Sequence, residues 1–225
     1  MVVPSSDIAF TTSVKSVQER RGSRAAYARL EAKGGWATTI DAKLADFIAS
    51  MRSFYLATAS KDGQPYVQHR GGPLGFLRVI DERTLAFADF SGNRQYITTG
   101  NLAENPRALI FLMDYRHRQR VKIWGTARVI EDDPELVGRS IPEGHKARPE
   151  AAILFTVEAW DANCPQHIPQ MLFAEEVAAT VGALKDRIEA LEADNAQLRT
   201  ALSQATLGVD PARPLALSTM VHGLE

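Results

Sequence analysis

Apolar and polar positions divide the chain into three textures: helical near the N-terminus, strand-like through the middle, and a heptad repeat in the last third. From about Ser13 to Lys33 the sequence is rich in Ala, Glu and Arg, and Gly34-Gly35 closes the run, which predicts one helix over that span. A shorter helix follows, with Asp41 placed as its N-cap and Leu44, Phe47, Ile48 and Met51 on one face. The period then changes. Phe54 to Ala59 and Pro65 to Gln68 flank Lys61-Asp62-Gly63-Gln64, whose Asp-Gly pair is a hairpin signal. Further strands are predicted at Phe76 to Ile80, Thr84 to Asp89, Ala108 to Met113, Arg120 to Ile130 and Ile153 to Trp160, with a short helix between Arg94 and Asn105. Strands this closely spaced, with few long helices between them, favour an antiparallel barrel over a doubly wound parallel sheet.

In the last third, Val177, Val181, Leu184, Ile188, Leu191, Asn195, Leu198 and Leu202 recur in steps of four and three. With Val181, Ile188, Asn195 and Leu202 at a, and Val177, Leu184, Leu191 and Leu198 at d, this is the seam of a parallel two-stranded coiled coil. A lone Asn at a fixes register and strand number at some cost in stability. The flanking charges agree, since Arg187 at g faces Glu192 at e of a partner helix, and Asp194 faces Arg199. The expected organisation is a helical arm over 1–40, a barrel over 41–170, a coiled-coil helix over 171–205 and a loose tail over 206–225, where Gly208, Pro211 and Pro214 fall close together.

Composition narrows the partners. The 225 residues include 26 basic and 27 acidic side chains, a formal net charge of −1, so no nucleic acid or anionic membrane is expected to attract the chain. A single cysteine, Cys164, excludes an intrachain disulfide, and no Cys/His spacing suggests a metal site. The N-terminal residues lack the pattern of a signal peptide, and no apolar run approaches the roughly 20 residues that cross a bilayer. A cytoplasmic location is expected.

The candidate chemistry lies in two segments. Gln68-His69-Arg70-Gly71-Gly72 ends one strand, and Ser91-Gly92-Asn93-Arg94-Gln95 is expected to open a helix. Arginine forks hold phosphate oxygens, glycine lets the backbone come close, and a helix N-terminus favours an anion. Taken singly, each element is also an ordinary surface arginine or a capped turn. His167, between Pro165 and Pro169, is a candidate proton donor or an ordered loop residue. Cys164 is a candidate thiol or a structural residue, and His117 sits in a basic tip, Tyr115 to Arg120, that could draw an anionic cosubstrate or simply be solvated.

These residues resemble the pyridoxamine 5′-phosphate oxidase-like family of FMN-binding split-barrel proteins, over about residues 40 to 170. The resemblance rests on Gln68 to Pro73, Phe87 to Tyr96, Gly100-Asn101-Leu102 with Asn105-Pro106, Arg120 to Gly125, and Asn163 to Pro169. It is nearest to a bacterial branch of FMN-dependent proteins of unassigned activity. It implies a mainly β fold with helices (α+β), an FMN-binding split β-barrel with N-terminal helices. The implied FMN contacts are Gln68, His69, Arg70 and Gly71 on one strand, Phe87 and Ala88 on another, and Asn93, Arg94 and Gln95 in the turn after it. It also implies a homodimer with FMN at the subunit interface, completed by Arg120 of the partner strand, and hydride transfer between NADH, NADPH or oxygen and a small-molecule substrate. The alternative is a non-catalytic flavin-binding carrier, sensor or scaffold with a coiled-coil partner interface; haem or a deazaflavin in the same groove is a third option. Pyridoxamine phosphate oxidation itself is not implied. The first motif ends in Arg70-Gly71-Gly72 where the vitamin-forming oxidases carry a Lys, Ser140 to Glu150 contains no Tyr, and a coil stands where they end in an Arg-x-His motif.

Overall fold

The computed structural model describes residues 3–142, 148–163 and 165–207. Cys164 and the expected tail beyond Leu207 lie outside them. Residues 1–171 form one compact unit and 172–225 a second.

In the first unit a short turn of 3-10 helix, Ser5–Ile8, precedes α1 (Thr12–Arg20), α2 (Arg24–Glu31) and α3 (Ala42–Ala49). The single helix expected over Ser13 to Lys33 is therefore two. Gly22 takes φ 79°, Gly22 N–H donates to the Glu19 carbonyl and Ser23 N–H to that of Gln18, a Schellman stop that needs the freedom of glycine. The same pair of bonds recurs at Gly34 and Gly35, where the sequence did signal a stop. At α3, Asp41 Oδ1 accepts the Leu44 N–H at 2.8 Å, as the capping pattern predicts.

Seven strands follow: β1 (Ser53–Ala59), β2 (Pro65–Gly71), β3 (Arg78–Asp81), β4 (Thr84–Phe90), β5 (Arg107–Asp114), β6 (Gln119–Ile130) and β7 (Pro149–Asn163). Helix α4 (Ile97–Glu104) lies between β4 and β5, and α5 (Pro134–Ser140) between β6 and β7. The strands form one antiparallel sheet in the order β2-β1-β5-β6-β7-β4-β3, giving the expected α+β class. Alternation sends Phe54 and Leu56 of β1, Ile110 and Leu112 of β5, and Val121 and Ile123 of β6 into one core. In β4, Leu85 through Ala88 are all buried. The strand expected from Phe76 begins at Arg78, because Phe76 and Leu77 are core residues of the preceding turn.

The sheet bends so that β2 and β4, six places and one place from the same edge, face each other without a backbone ladder. Side chains bridge the gap: Arg70 of β2 is ion-paired with Asp89 of β4. This is the split in the barrel, and the candidate site lies along it.

Two features fix the rest of the frame. Gly125 sits at a bulge between β6 and β7, where a Cβ would come within 1.9 Å of the Thr156 carbonyl oxygen and 2.8 Å of the Phe155 ring. Gly125→Ala is expected to cost at least about 2 kcal/mol, since the strand backbone itself must move; the denaturant midpoint measures it, and an unchanged midpoint refutes the close approach.

The N-terminal arm is tied to the sheet by an aromatic column. Phe10 packs on Tyr27 and Trp36 at 5.0 and 4.9 Å, and Trp36 stacks on Trp124 of β6 at 4.6 Å. Within the arm, Arg24 pairs with Glu31, and Lys15 lies 2.6 Å from Asp7 and 3.4 Å from Glu31. The hydrogen bond from Arg24 holds the Glu31 carboxyl below its usual range. A depressed carboxylate pKa contributes stability that is full above the unfolded value, about 4.3, and lost as pH falls through the folded value. The arm is therefore expected to loosen in acid below about pH 4.3, reported by Trp36 fluorescence, while Glu31→Gln removes that step. An identical acid profile in the variant counts against the linkage.

The second unit carries α6, Ala174–Leu207, one continuous helix about 50 Å long at 1.5 Å per residue. Along it Val177, Val181, Leu184, Ile188, Leu191, Leu198 and Leu202 are all exposed.

Candidate functional site

Two neighbouring clefts open along the split. The first, of about 230 Å³, is lined by Tyr66, Gln68 and Arg70 of β2, by Asp89 and Phe90, by the loop Gly92 to Tyr96, by Ile97, Thr98 and Thr99 of α4, and by Glu150 of β7. The second, of about 170 Å³, is lined by His69, Arg70, Gly71, Phe76, Phe87, Ala88, Phe90 and Pro142. Arg70 and Phe90 belong to both.

Strand geometry explains the division. Gln68 and Arg70 are two residues apart and share a face of β2, while His69 turns to the other, where its ring meets Tyr55 edge-on at 5.6 Å. Among the candidate residues, Gln68, Arg70, Asn93, Arg94 and Gln95 meet in the first cleft. His69, Gly71, Phe87 and Ala88 meet with Arg70 in the second. Phe87 is 1% exposed and packs edge-on against Phe54 at 5.0 Å, so it forms a floor beneath the Arg70 guanidinium, 5.9 Å from its ring.

Arg120 lines neither cleft; it sits on β6 between Met113 and the backbone of Asn163. His167 is outside both as well, in a turn with φ 62°. On the strand thought to face a partner, Trp124 is stacked by the chain's own Trp36.

The Ser91 to Gln95 segment does not open a helix. It is a loop, and α4 starts at Ile97 after Tyr96 in a left-handed conformation, φ 53°. Arg94 is left-handed too, at φ 55°, an uncommon state for a residue with a long side chain. The Asn93 side chain accepts the Gln95 N–H at 3.3 Å and Arg94 Nε donates to the Tyr96 hydroxyl at 3.1 Å, which together hold the loop. The bond to Tyr96 and the charge of Glu150 raise the Arg94 pKa further, so it is a permanent cation.

Helix α4 is placed by polar contacts that the sequence did not signal. Asn101 Nδ2 donates to the buried Thr58 hydroxyl at 3.0 Å, and the Thr98 hydroxyl donates to Gln68 Oε1 at 2.7 Å. These bonds aim the helix N-terminus, with three N–H groups that have no carbonyl within the helix, at the cleft. Asp89 and Glu150 were also missed. They matter because two carboxylates balance two guanidiniums, leaving the cleft without net charge. Asp89 occupies Arg70, whose Nε is buried without a hydrogen-bond partner.

Residues 40–164 match the family model described as pyridoxamine 5′-phosphate oxidase. The chain belongs to the pyridoxamine 5′-phosphate oxidase family. Both clefts fall inside the matched span, and no curated protein matches the chain. Similar solved structures include HupZ of Group A Streptococcus, 19% identical over 59% of this chain and 99% of that one, with a TM-score of 0.47. An FMN-binding protein from Syntrophomonas wolfei subsp. wolfei is 12% identical over 65% of this chain and 97% of that one, with a TM-score of 0.44. An FAD-binding protein from Mycobacterium smegmatis is 17% identical over 56% and 97%, with a TM-score of 0.38. Among the described residues, no helix is long and apolar enough to cross a membrane, and no cluster of three or more His, Cys, Asp or Glu could hold a metal ion.

Proposed function

We propose that this chain is an FMN-dependent oxidoreductase acting on a small-molecule substrate, with NADH, NADPH or oxygen as the other redox partner. One observation carries the reading: within the span matched to the family, the split of the barrel gathers Arg94, the α4 N-terminus and Arg70 around one cleft. That donor set suits a phosphate monoester. Arg94 and the N–H groups of Ile97 to Thr99 would hold the phosphate, Asn93 would orient it, and Gln68 would keep α4 aimed through Thr98. His69, Gly71 and Ala88 line the adjoining cleft, which would take part of the ring. The bound flavin would supply two-electron, hydride-accepting chemistry. The departures from the vitamin-forming oxidases point away from pyridoxamine phosphate as the substrate.

A homodimer belongs to the same proposal. The exposed apolar seam of α6 supports pairing with a second copy, and Arg120, remote from both clefts of its own chain, would reach flavin only across a subunit interface. Cytoplasmic residence is proposed on the single cysteine.

A second reading is a non-catalytic flavin-binding protein whose coil serves as an interface, and the exposed apolar seam of α6 favours it. One experiment separates the two. The purified protein is expected to bind FMN and show its visible spectrum, and NADH or NADPH added without oxygen is expected to bleach it. A bound flavin that neither reduces points to the non-catalytic reading, and no binding of added FMN refutes both.

A further inference from the structure

A groove of about 530 Å³, more than twice the volume of the first flavin-site cleft, lies where α3, β3 and α5 meet. It shares no lining residue with either cleft along the split. Its walls are largely apolar, with Ile48, Leu77 and Leu136 backed by Val79 and Ile80, which are 37% and 45% exposed.

The charged groups at the groove are two guanidiniums, Arg78 and Arg139, against one carboxylate, Asp46, a local excess of one positive charge. Arg78 is half committed. One of its terminal nitrogens donates to the Ile141 carbonyl at 3.0 Å, while its Nε is buried with no hydrogen-bond partner. The guanidinium also lines the groove, so an anion there gains a charge-assisted partner. Arg139, at the exposed end of α5, is placed to add a second contact.

From these features we propose that the groove binds a small amphipathic monoanion, an aliphatic carboxylate of medium chain length, with its carboxylate toward Arg78 and Arg139 and its chain along the Ile48, Leu77 and Leu136 wall. The volume falls in the range of small-molecule sites. A phosphate ester, polar over most of its surface, is the poorer fit because the walls of the groove are largely apolar.

Decanoate and decanol provide the test, titrated calorimetrically against the full chain. Decanoate is expected to bind at least about tenfold more tightly than decanol, because a charge-assisted pair distinguishes them. Arg139→Gln, at an exposed position, is expected to weaken decanoate about five- to tenfold and leave decanol unchanged. Ala49→Trp, which fills the groove from an exposed position, is expected to abolish both. Circular dichroism establishes that each variant is folded, and FMN titration of the same variants is expected to match the parent, which keeps this result independent of the flavin reading. No decanoate binding, equal affinity for decanoate and decanol, or undiminished binding in a folded Ala49→Trp variant overturns the proposal.

Discussion

Arg94→Ala is expected to weaken FMN binding about 10- to 100-fold, and Asp89→Asn to strengthen it, so that two neighbouring charge-removing substitutions act with opposite sign. The first figure follows from the loss of one charged donor to a phosphate, about 1.5–3 kcal/mol, at a tenfold change per 1.4 kcal/mol. Arg94 suits the measurement because its only hydrogen-bond partner among the described residues is the Tyr96 hydroxyl, in an exposed loop. Its removal should leave folding within about 0.5 kcal/mol of the parent.

Asp89 is different. It holds the Arg70 guanidinium in an ion pair whose partners are 12% and 19% exposed, so a ligand phosphate has to compete with a resident carboxylate for the same fork. Asparagine keeps the shape and removes the charge, freeing Arg70 for the ligand and making the cleft net positive. Affinity should rise by several-fold up to about tenfold, with a steeper dependence on salt, while stability falls because a largely buried guanidinium has lost its partner. Flavin fluorescence quenching reads the first effect and thermal denaturation the second. If FMN binds Arg94→Ala as it binds the parent, Arg94 is not at the phosphate; if Asp89→Asn weakens binding, Asp89 helps to hold the ligand and does not compete with it.

What the sequence disclosed of this site was the set of donors, and what it concealed was their pairing. Arg70 and Arg94 stand in motifs that can be found by inspection, but the Arg70–Asp89 ion pair joins residues 19 apart on strands with no ladder between them. Glu150 enters from β7, far along the chain, and nothing about its local sequence marks it. Thr98 and Gln68 are similar, since neither residue's neighbours predict that the helix N-terminus is aimed by a side-chain bond across 30 residues. The fold was more legible because periodicity is local. The strand-like runs Phe54 to Ala59 and Ala108 to Met113 could be read locally, and they carry the core residues Phe54, Leu56, Ile110 and Leu112; Asp41 marked a helix start. The misreadings were backbone conformations: Gly22 inside an otherwise helical stretch, and Arg94 and Tyr96, which turn left-handed without being glycine.

The largest effect on assembly is expected from Leu191→Asp in α6. In a two-stranded coil each copy contributes one Leu191 at d, and burying a leucine is worth about 1.5–3 kcal/mol, so the paired loss is about 3–6 kcal/mol before any cost for facing carboxylates. That is roughly a 100- to 10,000-fold weakening of self-association. Sedimentation over a concentration series is expected to show it, with helix content measured separately because an unpaired α6 of 34 residues also frays. A surface leucine with no partner would give no such shift, and an unchanged mass distribution removes the seam from the interface.

Orientation needs a different measurement. Asn195 sits at a, and its side chain now donates back to the Leu191 carbonyl at 3.1 Å, an internal bond it can exchange for one to its mate. In a parallel, in-register pair the two residues at position 195 face each other, whereas in an antiparallel pair they do not. Asn195→Cys, in a background where Cys164→Ser removes the native thiol, is therefore expected to cross-link into a covalent dimer on mild oxidation, and Ala196→Cys, one step off the seam, much less. Equal cross-linking at both positions, or none at 195 in a protein that sediments as a dimer, excludes the parallel register. The same charges that favour it, Arg187 against Glu192 and Asp194 against Arg199, predict that exchanging Glu192 for Lys weakens the dimer and that adding Arg187→Glu restores it. Recovery in the double variant is the result that a lone helix, or one packed on an unrelated surface, has no means of producing.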